Sequence, residues 1–122
     1  MLPNKMKISE SATNSLRRLQ NNTGLTANIG ARLAFFTSFE RGFRFDPTTD
    51  TVEHNGRELD KHTWLGDHGV ITEQLLKDAY PSFTRPQVHD AWVAHVDDGS
   101  SIIQGKNTLE SIVIIEKTHS SD

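Results

Sequence analysis

The sequence has 122 residues, of which 34% are apolar, and this is enough for one domain with a modest core. Its net charge of −3 gives no overall attraction to polyanions. The absence of cysteine excludes disulfides and thiolate sites, and no stretch approaches the roughly 18 apolar residues of a membrane span. We therefore predict a single domain over residues 1–118 with a loose tail at 119–122, in a soluble cytoplasmic protein that has no secretory segment.

The first predicted element is a short strand at residues 5–8, where polar and apolar side chains alternate with period two. Met6 and Ile8 would face the core, and Lys5 and Lys7 would face outward. The structural interpretation of this pattern is an edge strand with solvated lysines, which also deter aggregation.

A helix is predicted directly after this strand. Ser9 is a suitable N-cap, and the apolar positions that follow have helical spacing: Ala12, Leu16 and Leu19. Arg17 lies opposite this apolar stripe and Arg18 lies on its flank. Gly24 is expected to end the helix in a left-handed conformation.

A second helix is predicted from the N-cap Thr26 to about Gly42. Its apolar face is expected to comprise Ile29, Leu33, Phe36 and Phe39. Arg32 falls within this face and would need a buried partner. The opposite side has small residues that would allow a second helix to approach closely: Ala27, Gly30, Ala31 and Ala34.

The remainder of the chain is acidic and contains more turns. Asn55-Gly56 predicts a type I′ turn in a small hairpin between Val52 and Leu59. Further helices are predicted around Thr63 to Leu65, from Val70 to Tyr80, and from Arg85 to Asp97-Asp98-Gly99 with Val88, Trp92 and Val96 on one face. The segment from Thr108 to Ile115 is apolar all round and is therefore a buried helix or a strand, of which the helix is favoured. The predicted fold class is therefore mainly α, with a short N-terminal strand.

Charge is distributed very unevenly along the chain. Residues 1–44 contain seven basic and two acidic side chains, a balance of +5, whereas the remaining residues contain six basic and 14 acidic side chains, a balance of −8. A basic surface of this kind can bind polyanions while the acidic part limits indiscriminate binding. The alternative is that the two parts neutralise each other across an internal or subunit interface.

The order strand, helix, helix is typical of ribbon-helix-helix proteins, in which the N-terminal strands of two chains pair and enter the DNA major groove. In that arrangement Lys5 and Lys7 would face phosphates or base edges. A sequence-specific repressor is therefore one hypothesis, and it predicts a dimer that prefers a palindromic operator.

Three segments of the sequence have a recognisable pattern: an N-terminal segment with KISE and TGLTANI, which is the most specific, and the later segments HTWLGDHGVI and IIQGKNTLESI. They resemble the DndE family, the small component of the bacterial DNA phosphorothioation (DNA sulfur modification) system. The resemblance covers most of the chain, but the segment from Arg44 to Lys61 does not contribute to it.

The resemblance implies a mostly helical homotetramer that binds duplex DNA, nicked duplex in preference, through a basic surface. It also implies a cysteine desulfurase, an adenylating sulfurtransferase-like protein and an ATPase as partners, and no cofactor. The matching basic positions are Lys5, Lys7, Arg17, Arg18 and Arg41. Arg32 also matches, but its inward position suggests that it holds subunits together instead.

Catalytic and metal-binding patterns are weak in this sequence. His89 and His95 lie six residues apart and so point in different directions on a helix, and no HExxH motif occurs. His95 is expected to be a core histidine with satisfied hydrogen bonds. Neither a catalytic nor a metal site is predicted.

Two further hypotheses remain open. Asp67 and His68, on a glycine-flanked turn, have the composition of an acid/base pair and would define a strand-nicking enzyme. A loop that leads into the next helix explains the same two residues more simply. The other hypothesis is an assembly adaptor whose basic part binds an acidic protein surface.

Overall fold

The computed structural model describes residues 5–60 and 69–104. Its elements in chain order are β1 (Lys5–Lys7), α1 (Glu10–Thr23), α2 (Ala27–Glu40), β2 (Glu58–Asp60), α3 (Gly69–Ala79) and α4 (Arg85–Ile103). The mainly α fold with a short N-terminal strand is therefore confirmed. The predicted helices at Thr63 to Leu65 and Thr108 to Ile115, and the tail at 119–122, lie outside the described residues.

The N-terminal strand is present and pairs within the chain. β1 runs antiparallel to β2, with Met6 opposite Leu59. Met6, Ile8 and Leu59 are buried, as the alternation at residues 5–8 predicts. The two-stranded sheet therefore joins the beginning of the chain to a segment about 50 residues later, and β1 pairs with a strand of its own chain.

The predicted hairpin around Asn55-Gly56 is wrong. Within residues 5–60 only Gly24 and Gly42 have positive φ, so neither Asn55 nor Gly56 adopts the conformation that a type I′ turn requires. Instead, Asn55 Oδ1 accepts a hydrogen bond from the Glu10 N–H at 2.8 Å. The segment before β2 is held against the start of α1, and this contact with a distant helix takes precedence over the local turn preference.

Both ends of α1 agree with the sequence analysis. The Ser9 side chain accepts the N–H of Ala12 at 2.9 Å, and Gly24 ends the helix with φ of 82°. The Gly24 N–H donates to the carbonyl of Gln20 at 2.8 Å. The predicted apolar stripe on this helix is buried.

For α2, the N-cap Thr26 is confirmed, and so is the predicted close approach of a second helix to its small residues, whereas the predicted apolar face is not the side that is most buried. The side that faces the core carries mainly small residues: Ala27, Gly30, Ala31, Ala34, Phe35, Thr37 and Ser38. Ile29 keeps 37% of its surface exposed, and Leu33, Phe36 and Phe39 are only partly buried. The reason is that α4 packs closely along the side with the small residues.

Gly99 explains this close packing and corrects the predicted end of α4. A Cβ atom at Gly99 would collide with the backbone of Ala34, so the absence of a side chain lets the two helices touch. The sequence 97–99 was expected to end the helix, but α4 continues to Ile103. Its start agrees with the prediction, because Thr84 and Gln87 form a capping box.

His95 lies in the core between α2 and the segment that follows α3, with no solvent exposure. The Tyr80 hydroxyl accepts the Phe45 N–H at 2.8 Å and is hydrogen-bonded to His95 Nε2 at 2.9 Å. His95 Nδ1 is hydrogen-bonded to Ser38 Oγ at 2.9 Å, so both ring nitrogens have partners. The predicted core histidine with satisfied hydrogen bonds is confirmed. Burial, with a smaller effect of the Arg44 charge, lowers the pKa of His95 to about 3.

Substitution of Gly99 by alanine should destabilise the fold. Alanine is favoured in helices by about 1 kcal/mol, but the new methyl group would push α4 away from the Ala34 backbone. We expect the free energy of unfolding to fall by about 2 kcal/mol or more in urea denaturation. Ser101→Ala, at an exposed position of the same helix, should change it by less than about 0.5 kcal/mol. A Gly99→Ala protein as stable as the native chain would contradict the close packing.

Stability should fall on mild acidification because His95 is neutral in the folded chain. Its pKa is about 3 when folded, against an ordinary value of 6.5, so the unfolded chain binds more protons between these values. The free energy of unfolding should therefore fall as pH drops below about 6.5, by up to about 1.4 kcal/mol per pH unit.

Urea denaturation at about pH 7 and about pH 5 gives the loss of unfolding free energy on acidification for the native chain and for His95→Gln. The difference between these two losses is the contribution of His95. Nitrogen NMR of the native ring at the lower pH should also show a neutral imidazole. A ring that titrates near its ordinary value would contradict the buried network.

Candidate functional site

The two lysines of β1 are exposed, but each has a carboxylate across the ribbon. Lys5 lies opposite Asp60 and Lys7 lies opposite Glu58 in the antiparallel register. Oppositely charged side chains at such positions attract each other, by a fraction of a kcal/mol per pair at about 5 Å between Cβ atoms. The ribbon therefore presents both charges to solvent.

A shallow basin of about 420 Å³ lies beside this ribbon and is lined by Lys5, Lys7, His54, Glu58 and His89. His54 Nε2 lies 2.9 Å from Asp90 Oδ1, and its Nδ1 lies 3.3 Å from the carbonyl oxygen of Lys7. Through these two contacts His54 links the segment before β2 to both β1 and α4.

The ring of His89 packs edge-on against that of His54, with 4.8 Å between centroids. Burial lowers the pKa of His89, and the neighbouring His54 lowers it further. His89 is therefore neutral at physiological pH and adds no charge to the basin.

Arg17 and Arg18 are exposed on α1, and both donate hydrogen bonds to neutral side chains. Arg17 donates to the side-chain oxygen of Asn14 at 3.2 Å, and Arg18 donates to that of Gln104 at 3.4 Å. An amide oxygen orients a guanidinium without cancelling its charge. These two side chains therefore present a stronger positive potential to solvent than the lysines of the ribbon.

Arg17 also lines a small cleft of about 40 Å³ between α1 and the segment before β2. The residues around it are Ile8, Thr13, Leu16, Arg17, Gln20, Ala27 and Arg57. Arg57 was missed by the sequence analysis. No local signal identifies it, because its position depends on the docking of Asn55 and Gly56 against α1.

Arg41 lies apart from this cleft. Ala27, the first residue of α2, lines the cleft, whereas Arg41 is the exposed C-cap of the same helix, roughly 20 Å along its axis. A positive charge at this end also interacts favourably with the helix dipole. Arg32, which was predicted to point inward and to need a partner, is half-buried and does interact with another group.

Part of the acidic half of the chain gathers in another groove. Asp50, Asp97 and Asp98 line a depression of about 530 Å³ together with aromatic and hydroxyl side chains. Asp97 accepts a hydrogen bond from Ser9 Oγ at 2.9 Å. These carboxylates line their own groove, whereas Glu58 and Asp60 lie opposite the lysines, so internal neutralisation affects the lysines of the ribbon more than the arginines of α1.

The histidines and carboxylates in residues 5–60 and 69–104 form no group of three or more that could hold a metal ion. Asp67 and His68, on which the nicking hypothesis depends, lie outside the described residues. Among the described helices, none combines the length and apolar character needed to cross a bilayer.

Comparison with known proteins identifies similarity over most of the chain. The family model of the DNA sulphur modification protein DndE matches residues 5–111. The crystal structure of DndE from Escherichia coli B7A, involved in DNA phosphorothioation modification, is 45% identical with a TM-score of 0.80, covering 83% of this chain and 98% of that one. A glycine-to-lysine mutant of DndE involved in DNA phosphorothioation is 42% identical with a TM-score of 0.78, covering 84% and 99%. No curated protein matches the chain.

Proposed function

The chain belongs to the DndE family of DNA sulphur modification proteins, and from this membership we propose that it is a DNA-binding component of the phosphorothioation machinery. In this proposal it binds duplex DNA through the phosphate backbone, prefers nicked duplex, and acts in the cytoplasm as a homo-oligomer, a tetramer by the family resemblance. Its role is to hold DNA for the other modification proteins, without a reaction of its own.

The observation that carries the proposal is the environment of Arg17 and Arg18. Both guanidinium groups are exposed, and both donate to neutral amide oxygens. Each phosphate that such a charge neutralises releases a condensed counterion, which makes binding favourable and strongly dependent on salt. Contacts of this kind position a duplex without reading its sequence.

Lys5 and Lys7 are secondary contacts in this proposal. Phosphates must compete for them with Glu58 and Asp60 across the ribbon. Arg41 lies at the far end of α2, away from the other basic residues. It would contact DNA only where the duplex extends to that end, or where a second protomer brings DNA to it.

Preference for a nick has a mechanical basis. A nicked duplex bends and opens at the break with less deformation energy than an intact duplex. A protein that holds phosphates at separate positions on its surface therefore selects the more deformable DNA without contacting bases.

The repressor hypothesis depended on the pairing of N-terminal strands from two chains. β1 pairs with β2 of its own chain, so the strand pairing that a ribbon-helix-helix dimer obtains from a second copy is supplied internally. Backbone binding by the arginines of α1 also predicts equal affinity for unrelated sequences.

Self-association is supported by the outward side of α2. Ile29 is 37% exposed, and its neighbours Leu33 and Phe36 are only partly covered by the chain's own elements. A second copy of the chain that covers this side would bury apolar surface that one protomer leaves in contact with water.

Removal of the α1 charges should weaken DNA binding more than removal of the ribbon lysines. We expect Arg17→Gln with Arg18→Gln to lower affinity for a nicked duplex, and to reduce the salt slope by about two units, because two phosphate contacts are lost. Lys5→Gln with Lys7→Gln changes the net charge equally and should have a smaller effect. Titrations of labelled nicked and intact duplexes of one sequence over a salt series measure both quantities.

The outcomes of these titrations are distinct. Equal affinity of the native chain and the arginine variant would contradict the assignment of α1. Failure of the native chain to retain any DNA would contradict the proposed function and favour the adaptor hypothesis.

Ile29→Asp should dissociate the oligomer without unfolding the protomer, since aspartate is well tolerated in the first turn of a helix. Light scattering coupled to size exclusion should show a lower mass, and circular dichroism should show unchanged helix content. Ile71→Asp, at a 51% exposed isoleucine of α3, is the matched control and should keep the native mass. An unchanged mass for Ile29→Asp would remove α2 from the interface.

A further inference from the structure

We propose that Arg57 and Arg17 together form a binding cleft for a single phosphate group of the DNA backbone. This inference rests on the proposed function and extends it to Arg57, a residue that the sequence analysis did not identify. Its basis is the way the fold brings two arginines from distant positions in the sequence to line one cleft beside α1.

The backbone of Arg57 is held by hydrogen bonds on both sides. Its N–H donates to Thr13 Oγ1 at 2.9 Å, and its carbonyl accepts the N–H of Ile8 at 3.1 Å. The preceding Gly56 donates its N–H to the carbonyl of Ile8 at 2.8 Å. Arg57 therefore starts from a fixed point next to the first turns of α1, and only its side chain has freedom to move.

Gly56 makes this approach possible. A Cβ atom at this position would collide with the Ser9 carbonyl and with Thr13 Oγ1. Only glycine lets the segment lie directly against α1 and place the next residue over Thr13. Gly56, which the sequence analysis interpreted as part of a turn, therefore positions Arg57.

Arg17 reaches the same cleft from the helix. Thr13, Arg17 and Gln20 lie four and three residues apart along α1, so they share one face. Thr13 is already engaged, because its hydroxyl donates to the Ser9 carbonyl at 2.9 Å and accepts from Arg57. The groups left to contact a ligand are two guanidinium groups and the amide of Gln20.

The chemistry of this cleft fits a tetrahedral oxyanion. Guanidinium groups donate pairs of parallel N–H bonds that match phosphate oxygens, and the residues lining the cleft, all in the described part of the chain, include no carboxylate. The small volume suits a phosphate group rather than a base. This separates the cleft from the ribbon basin, where Glu58 lies among the basic side chains.

Arg57→Gln in the full chain tests the proposal. We expect about tenfold weaker binding to a nicked duplex and a salt slope reduced by about one unit. Arg85→Gln, at an exposed arginine on α4, removes the same charge elsewhere and should cause a smaller loss. Arg57→Lys should lie between native and Arg57→Gln, because it keeps the charge without the paired donors. Equal losses in Arg57→Gln and Arg85→Gln would overturn the proposal.

Titration of the native chain with inorganic phosphate separates the cleft from the proposed function. The arginine Nε–H signals of Arg17 and Arg57 should shift together in NMR spectra, and the shift of Arg17 should be strongly reduced in Arg57→Gln. Absence of a common shift in the native chain would overturn the cleft even if DNA binds. A common shift in a chain that retains no DNA would support the cleft and contradict the proposed function.

Discussion

The first turn of α1 is the junction on which the rest of the structure depends. A helix begins with N–H groups that have no partner within the helix, and the chain must satisfy them from elsewhere. Ser9 accepts the N–H of Ala12 and donates to Asp97 of α4, while Asn55 accepts the N–H of Glu10. Two distant segments are thus fixed to one helical turn, and the position of Arg57 beside α1 follows from that requirement.

The same junction determines how charge is arranged on the surface. Asp97 is held at the start of α1, where a negative charge is favourable, and it lines the acidic groove together with Asp98. Arg17 and Arg18 lie on later turns of the helix with neutral partners. Asp50, Asp97 and Asp98 line their own groove, and Glu58 and Asp60 lie opposite the ribbon lysines, so these five carboxylates are not partners of Arg17 and Arg18.

Features set by neighbouring residues could be predicted from the sequence, and features set by distant contacts could not. Ser9 begins α1 and Gly24 ends it, through local hydrogen bonds and a local backbone conformation. Their roles could therefore be predicted from the sequence. The small residues of α2 predict that a second helix can approach them, but they do not reveal that the contact is made by Gly99, 65 residues after Ala34. Arg57 was missed for the same reason, since its place in the cleft follows from contacts with α1 that a scan for local turns interprets as a hairpin.

Amide chemical-shift mapping of the isotopically labelled chain with a nicked duplex is the most direct test of the central claim, that the arginine face of α1 contacts DNA phosphates. The account predicts the largest shifts at Thr13, Arg17 and Arg57, with little change around Asp50 and Asp97. Shifts confined to the acidic groove, or spread evenly over the protein, would contradict it.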